Sequence, residues 1–376
     1  MNAIEPTNTH TLASEQETFA ETLVTMLNHG ATVAMISLGH RLGLFDILAE
    51  LPPASSENIA KLAGLDERYV REWLAVMTTA RIVIYNAVPG HYQLPEAHAA
   101  CLTRKATPGN VAVNAQFVPL IARMEDALID CFRHGGGLPY HVYPCFHQVM
   151  SEDSGQTVVA ALHDHILPLV PDLLRRLDDG IDVLDAGCGA GRALLTLAEC
   201  FPSSRFTGYD LCSAAFENTA REAAERGLTN LTFEARDLRD FHEPGHYDLI
   251  TSFDAVHDQA DPQALLAGIA TALRPGGVYL MQDIAGSSFL QNNLDHPLGP
   301  LLYSISCAHC TPVSLYQGGP GLGTMWGEEL ATVMLKRAGF EDICAHRLEH
   351  DPFNVYFVAR REDVGPTPEE NRNTGL

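Results

Sequence analysis

Between residues 181 and 284 the chain alternates five short apolar runs with helix-period stretches, and few architectures accept that rhythm. The runs at 181–186, 205–209, 231–235, 247–253 and 278–284 have strand length, with helical stretches at about 191–200, 213–226 and 262–273. A further helix at about 327–338 precedes strands near 342–348 and 353–360. Strands alternating with helices predict a mostly parallel sheet covered on both faces, because parallel neighbours need a crossover.

The first run ends in VLDAGCGAGR, residues 183–192. In an open α/β sheet the carboxyl ends of the strands hold the ligand. Gly187, Gly189 and Gly191 let the backbone approach a ligand that a Cβ would exclude. Asp210 closes the second run, where a carboxylate can accept hydrogen bonds from ribose hydroxyls. A dinucleotide site reads G-x-G-x-x-G and seats a pyrophosphate on a helix N-terminus. Here the loop reads G-x-G-x-G, and Asp185 stands two residues before it. An acid there suits an ammonium and a sulfonium and opposes a pyrophosphate, so the loop favours S-adenosylmethionine. Asp237, in ARDLRD, is placed for an adenine amino group.

On VLDAGCGAGR, GYDL, ARDL and LRPGG, residues 181–284 resemble a class I S-adenosylmethionine-dependent methyltransferase. Nearly all of residues 30–360 resemble the mycobacterial-type methyltransferases with an N-terminal winged helix. GGGLPYHVYPCFHQVM, NNLDHPLGPLLYS, HCTPVSL, GLGTMWGEELA and AGFEDI carry that wider likeness. It implies an α/β fold, with a Rossmann-like seven-stranded domain behind a mainly helical winged-helix domain. It also implies S-adenosyl-L-methionine as cofactor, contacted by Asp185, Gly187, Cys188, Gly189, Asp210, Leu211, Asp237, Leu238, Phe253 and Asp254. Cys188 fills the variable slot of the loop and reads as a small buried filler rather than a reactive thiol.

Methyl transfer is an in-line displacement with a good leaving group, so the protein mainly aligns the acceptor. An oxygen or sulfur acceptor must also lose a proton. VHDQADP offers His257 just after the fourth strand. The same His-Asp arrangement in the plant-type small-molecule O-methyltransferases implies His257 as general base. Asp258 reads as a helix cap, and Glu349 or Asp351 as an acid that could orient His257. The long insertion at about 285–326 carries Tyr303, His309 and Trp326, read as substrate contacts. Tyr140, Tyr143 and Phe146 form a candidate lid, with Gly135–Gly137 as its hinge. CAHC, Cys307 to Cys310, lacks the second close pair of a structural zinc site, so no metal is expected.

Upstream, Phe19, Leu23, Met26 and Leu27 recur at helical spacing, and ISLGHRLGLFDILAEL reads as a second helix ending at Pro52-Pro53. Helices starting at a serine cap and at Asp66, then a hairpin over VIYNAVPGHYQL, give the order of a winged helix. Residues 1–110 hold 11 acids and 7 bases, and NAVPGHYQ has no Lys or Arg, which argues against DNA. GHRLGLFDILAEL resembles the dimerisation segment of the plant-type enzymes, so a homodimer is expected. The whole chain has a net charge of −23, which disfavours nucleic acid and anionic membranes as partners. Nine scattered cysteines and no apparent leader point to a cytoplasmic protein.

The expected organisation is a tail at 1–13, a winged-helix dimerisation domain at 14–110 and a helical linker and lid at 111–179. The cofactor-binding domain spans 180–361, followed by a tail at 362–376. The expected function is methyl transfer to a hydroxyl or thiol of a small-molecule acceptor. The rival readings are a winged-helix regulator that senses S-adenosylmethionine and an inactive binding protein.

Overall fold

The computed structural model describes residues 9–361 and divides into two compact units between Pro119 and Leu120. The expected tails at 1–8 and 362–376 lie outside the described residues. Residues 9–13 correct the tail boundary, because their backbone is already helical.

The first unit opens with α1 (Thr9–Arg41) and α2 (Leu44–Glu50). One helix therefore runs through both N-terminal helical patterns, and the break falls at Gly43, where φ is +70°. Then come α3 (Ser56–Ala63) and α4 (Glu67–Thr79). Ser55 accepts from the Asn58 N–H and Asp66 from the Arg68 N–H, each satisfying an orphan donor of the first turn. β1 (Ile84–Asn86) and β2 (His91–Gln93) form the antiparallel wing. Phe45, Leu48, Ile59, Val70, Trp73, Leu74 and Met77 bury one core. The Trp73 indole N–H donates to the Met35 carbonyl, 2.8 Å away. The apolar stripe of α1 does not join that core. Phe19, Leu23, Val24, Met26 and Leu27 are 45% to 73% exposed.

The second unit is built on a seven-stranded sheet of β3 (Asp182–Ala186), β4 (Arg205–Asp210), β5 (Leu231–Ala235), β6 (Tyr247–Phe253), β7 (Leu273–Ile284), β8 (Phe340–Leu348) and β9 (Asp351–Arg361). Their order is β5-β4-β3-β6-β7-β9-β8, with only β9 antiparallel to its neighbours. Side chains alternate between faces along each strand. Thus Val183, Leu249, Val278 and Leu280 enter one apolar cluster, while Leu184, Ile250, Tyr279 and Met281 enter the other. The strand order reverses beside β3, which opens a crevice at the carboxyl ends of β3 and β6. β7 starts at Leu273, so LRPGG belongs to an extended segment with a register shift against β6 rather than to a turn ahead of it.

At the amino ends of these strands the acids are paired. Asp182 takes two hydrogen bonds from Arg205, at 2.6 and 2.8 Å, and one from Arg274 at 2.7 Å; Arg274 also reaches Asp248. Among the described residues no single helix is long and apolar enough to cross a membrane.

Candidate active site

The carboxyl edge of the sheet carries acids without arginine or lysine partners. Asp185 lies one residue before the end of β3, Asp210 ends β4, Asp254 follows β6 and Asp283 lies near the end of β7. Among the described residues, the ion pairs that reach Asp254, Asp258 and Asp283 involve only histidines.

Asp185 is buried and accepts a 2.8 Å hydrogen bond from the Thr251 hydroxyl. Burial pushes its carboxyl up to about 7, against the pull of the Thr251 bond. Asp210 accepts from the Gly189 N–H at 2.8 Å and from the Cys212 N–H at 2.9 Å, so it shapes the glycine loop. Gly187 has φ +81°, and a Cβ there would lie 2.6 Å from the Ala255 side chain. Both the backbone and the space demand glycine. Burial raises the Cys188 thiol well above its usual range, so it stays protonated. Asp254 takes a left-handed conformation, φ 54°, and its buried Oδ1 has no hydrogen-bond partner. Strain of that kind is held by surrounding structure and concentrates at functional sites.

The remaining expected cofactor residues are spread more widely. Phe253 is half-buried, Leu211 is exposed, and the Leu238 side chain packs in the sheet core. Asp237 is exposed and bound by Arg239, whose guanidinium lowers its carboxyl.

His257 is 1% exposed, and its Nδ1 lies 2.8 Å from Asp283 Oδ1. Glu349 and Asp351 were the expected partners. Asp351 is instead satisfied within β9, accepting from the Asn354 amide and the Tyr356 hydroxyl. Burial alone would lower the His257 pKa, but the Asp283 and Asp258 carboxylates hold it well above 6.5. Asp258 is not a cap, because Asp261 caps the following helix, Pro262–Ala272, through the Ala264 N–H. Asp258 is buried 3.4 Å from His257 Nε2 and accepts from the Tyr140 hydroxyl at 3.1 Å.

A second histidine completes the cluster. His309 sits in a π-helical turn, Ser306–Cys310, within the insertion. Such turns appear mostly as single-turn bulges and often at functional sites. Its ring stacks on Phe146 at 3.8 Å between centroids and meets Tyr143 edge-on at 4.7 Å. Burial lowers it to about 4, and its Nε2 is buried without a partner. The site therefore holds one histidine held toward its charged form and one kept neutral.

Tyr140, Tyr143 and Phe146 thus gather with His257, Asp258 and His309. Tyr303 bonds Asn293 instead, and Trp326 packs in the sheet core. In the expected hinge, Gly135 and Gly136 have positive φ, but Gly137 is docked, with Leu138 N–H donating to the Pro312 carbonyl. The sequence reading missed Asp283, although an acid closing the MQDI strand is the same signal as Asp185 and Asp210.

Two families match this chain. One described as an Rv2258c-like winged HTH domain covers residues 30–104, and a methyltransferase domain covers residues 177–327. The 2-heptyl-1-hydroxyquinolin-4(1H)-one methyltransferase of Mycobacteroides abscessus is 32% identical over 167 residues, 40% of this chain and 71% of that protein. The chain belongs to the S-adenosylmethionine-dependent methyltransferases.

The trans-aconitate 2-methyltransferase of Azoarcus sp. strain BH72 is 29% identical over 208 residues, 54% of this chain and 73% of that protein. The fold matches the human N-acetylserotonin methyltransferase solved with S-adenosylmethionine, with a TM-score of 0.62 and 19% identity over 96% of this chain and 99% of that one. It also matches the mitomycin 7-O-methyltransferase, with a TM-score of 0.64 and 18% identity over 93% of this chain and 99% of that one. S-adenosylmethionine is the cofactor of this methyltransferase, and the strand edge fits it. Orphaned Asp254 Oδ1 and buried Asp185 can meet cationic groups, and Asp210 keeps lone pairs for hydroxyls.

Proposed function

We propose that this methyltransferase acts on a hydroxyl or thiol of a small, mostly apolar molecule, with His257 as general base. The observation that carries the reading is the His257–Asp283 contact, which fixes the ring through Nδ1 and leaves Nε2 to take a proton. When bound, S-adenosylmethionine supplies a methyl group on a sulfonium, which makes a good leaving group. Asp185, Asp210 and the Gly187–Gly189 loop would hold that cofactor, and Asp237, Leu211, Leu238 and Phe253 would contact it as well. Tyr140, Tyr143, Phe146 and His309 cover the acceptor and exclude water. Two relatives favour small hydroxylated acceptors: the Mycobacteroides abscessus protein just described, and the nocamycin O-methyltransferase of Saccharothrix syringae, 36% identical over 114 residues, 29% of this chain and 41% of that protein.

The test is a screen of phenols and thiols with labelled cofactor. Transfer to one class defines the acceptor. Tight cofactor binding with no transfer across the panel would favour the inactive binding protein instead.

Cofactor affinity should fall with acidity, because Asp185 must be ionised to meet a cation. Its pKa of about 7 predicts an approach to tenfold weaker binding per pH unit below that point. Calorimetry across that range checks it, and a flat profile would remove Asp185 from the cofactor's cationic group.

We further propose that the protein is a cytoplasmic homodimer. The exposed apolar stripe of α1 supports the dimer, and nine scattered cysteines with no disulfide among the described residues suit a reducing compartment. Phe19→Glu with Leu27→Glu is expected to yield monomers in sedimentation. A monomeric unaltered protein, or a variant that stays dimeric, would overturn this.

A further inference from the structure

We propose that His257, Asp258 and Cys310 form a chelating site for a soft divalent cation of the zinc class. This goes beyond the methyl-transfer reading and does not depend on it.

The donor set is mixed N, O and S, which zinc accepts and magnesium or calcium do not. One donor atom from each residue lies within 4.8 Å of the others, and all three residues are buried. His257 Nε2 and Asp258 Oδ1 are 3.4 Å apart. Two ligands about 2.1 Å from a tetrahedral ion are separated by about 3.4 Å, so this pair already has a zinc-like span. Asp258 is 6% exposed, yet its Oδ1 has no hydrogen-bond partner. The His257 ring meets it only at ion-pair range, so an ion seated between the two would supply the missing bond.

The surroundings match those of ligating side chains. The carboxylate of Asp283 holds His257 through Nδ1, as carboxylates hold metal-bound imidazoles, and turns Nε2 toward the other donors. The Thr324 hydroxyl donates to Cys310 Sγ at 3.0 Å, a contact that stabilises a thiolate. Asp258 Oδ2 is held by the Tyr140 hydroxyl, which leaves Oδ1 facing His257 Nε2. The grouping of Asp254, His257 and Asp283 is a poorer site, because His257 Nδ1 is already engaged by Asp283.

This also separates Cys310 from Cys307, its partner in CAHC. Cys307 is exposed, whereas Cys310 is buried. On binding, the Cys310 thiol gives its proton to solvent and its sulfur to the ion, without oxidation. Nε2 can then carry an ion or a proton, but not both.

Cobalt titration of metal-free, full-length protein tests the site without an acceptor or turnover. The expected result is one tightly bound equivalent with a thiolate-to-cobalt charge-transfer band that zinc displaces. Cys310→Ser should abolish the band, and Cys307→Ser should leave it intact. Asp283→Asn should weaken the ion by about 10–100-fold. Cobalt binding without a thiolate band, or a band that survives in Cys310→Ser, would overturn the proposal. So would affinity unchanged in both Asp283→Asn and Asp258→Asn, two changes that keep the side-chain volume. A failed base assignment would leave these spectra unaltered, so the two readings fail separately.

Discussion

His257→Ala is expected to lower turnover by about 10²–10⁴-fold, the usual contribution of a positioned general base. Cofactor affinity should stay near that of the unaltered protein, because Asp185 and Asp210 lie on other strands. Steady-state assays beside calorimetry check both halves. Unchanged turnover would remove His257 as the base. The pH profile gives a sharper readout. The Asp283 and Asp258 carboxylates raise the pKa of His257, so it is an imidazolium at its ordinary value of 6.5 and must lose that proton before accepting another. kcat/KM should therefore rise with pH through a midpoint above 6.5. Asp283→Asn removes one raising charge, so the midpoint should move to lower pH while the plateau falls as the ring loses its anchor. A plateau that falls with an unmoved midpoint would make Asp283 merely structural.

Asp210→Ala is expected to weaken S-adenosylmethionine binding by on the order of 100-fold or more. Each hydrogen bond to a charged group contributes about 1.5–3 kcal/mol, and a ribose offers two. The same change frees the Gly189 and Cys212 N–H groups, so the glycine loop loses its anchor as well. Asp237→Ala should cost less, since that carboxylate is exposed and already held by Arg239. Calorimetry with the demethylated product separates the two variants. Equal affinities in Asp210→Ala and the unaltered protein would move the cofactor away from the end of β4.

Much of this arrangement was local enough to read from the chain. Strand and helix periods located the strands to within two residues except at the start of β7, because an apolar run between turn residues has few alternatives. VLDAGCGAGR carried the loop, since its glycines and acid respond to constraints within ten residues. Ser55 and Asp66 were legible as caps for the same reason: a cap satisfies donors two or three residues away.

The partners of those residues were not local. The orienting acid of His257 was sought after β8, among Glu349 and Asp351, but β9 uses Asp351 for its own Asn354 and Tyr356. Asp283 takes the role because β7 lies beside β6 in the sheet, 26 residues along the chain. The neutral state of His309, the protonated thiol of Cys310 and the orphaned oxygen of Asp258 are likewise products of burial. Local patterning specifies a mostly parallel α/β sheet, its glycine loop and the residue types available for chemistry. Tertiary structure decided which acids meet which histidines, because strand order and burial set both the distance between charges and the cost of keeping them.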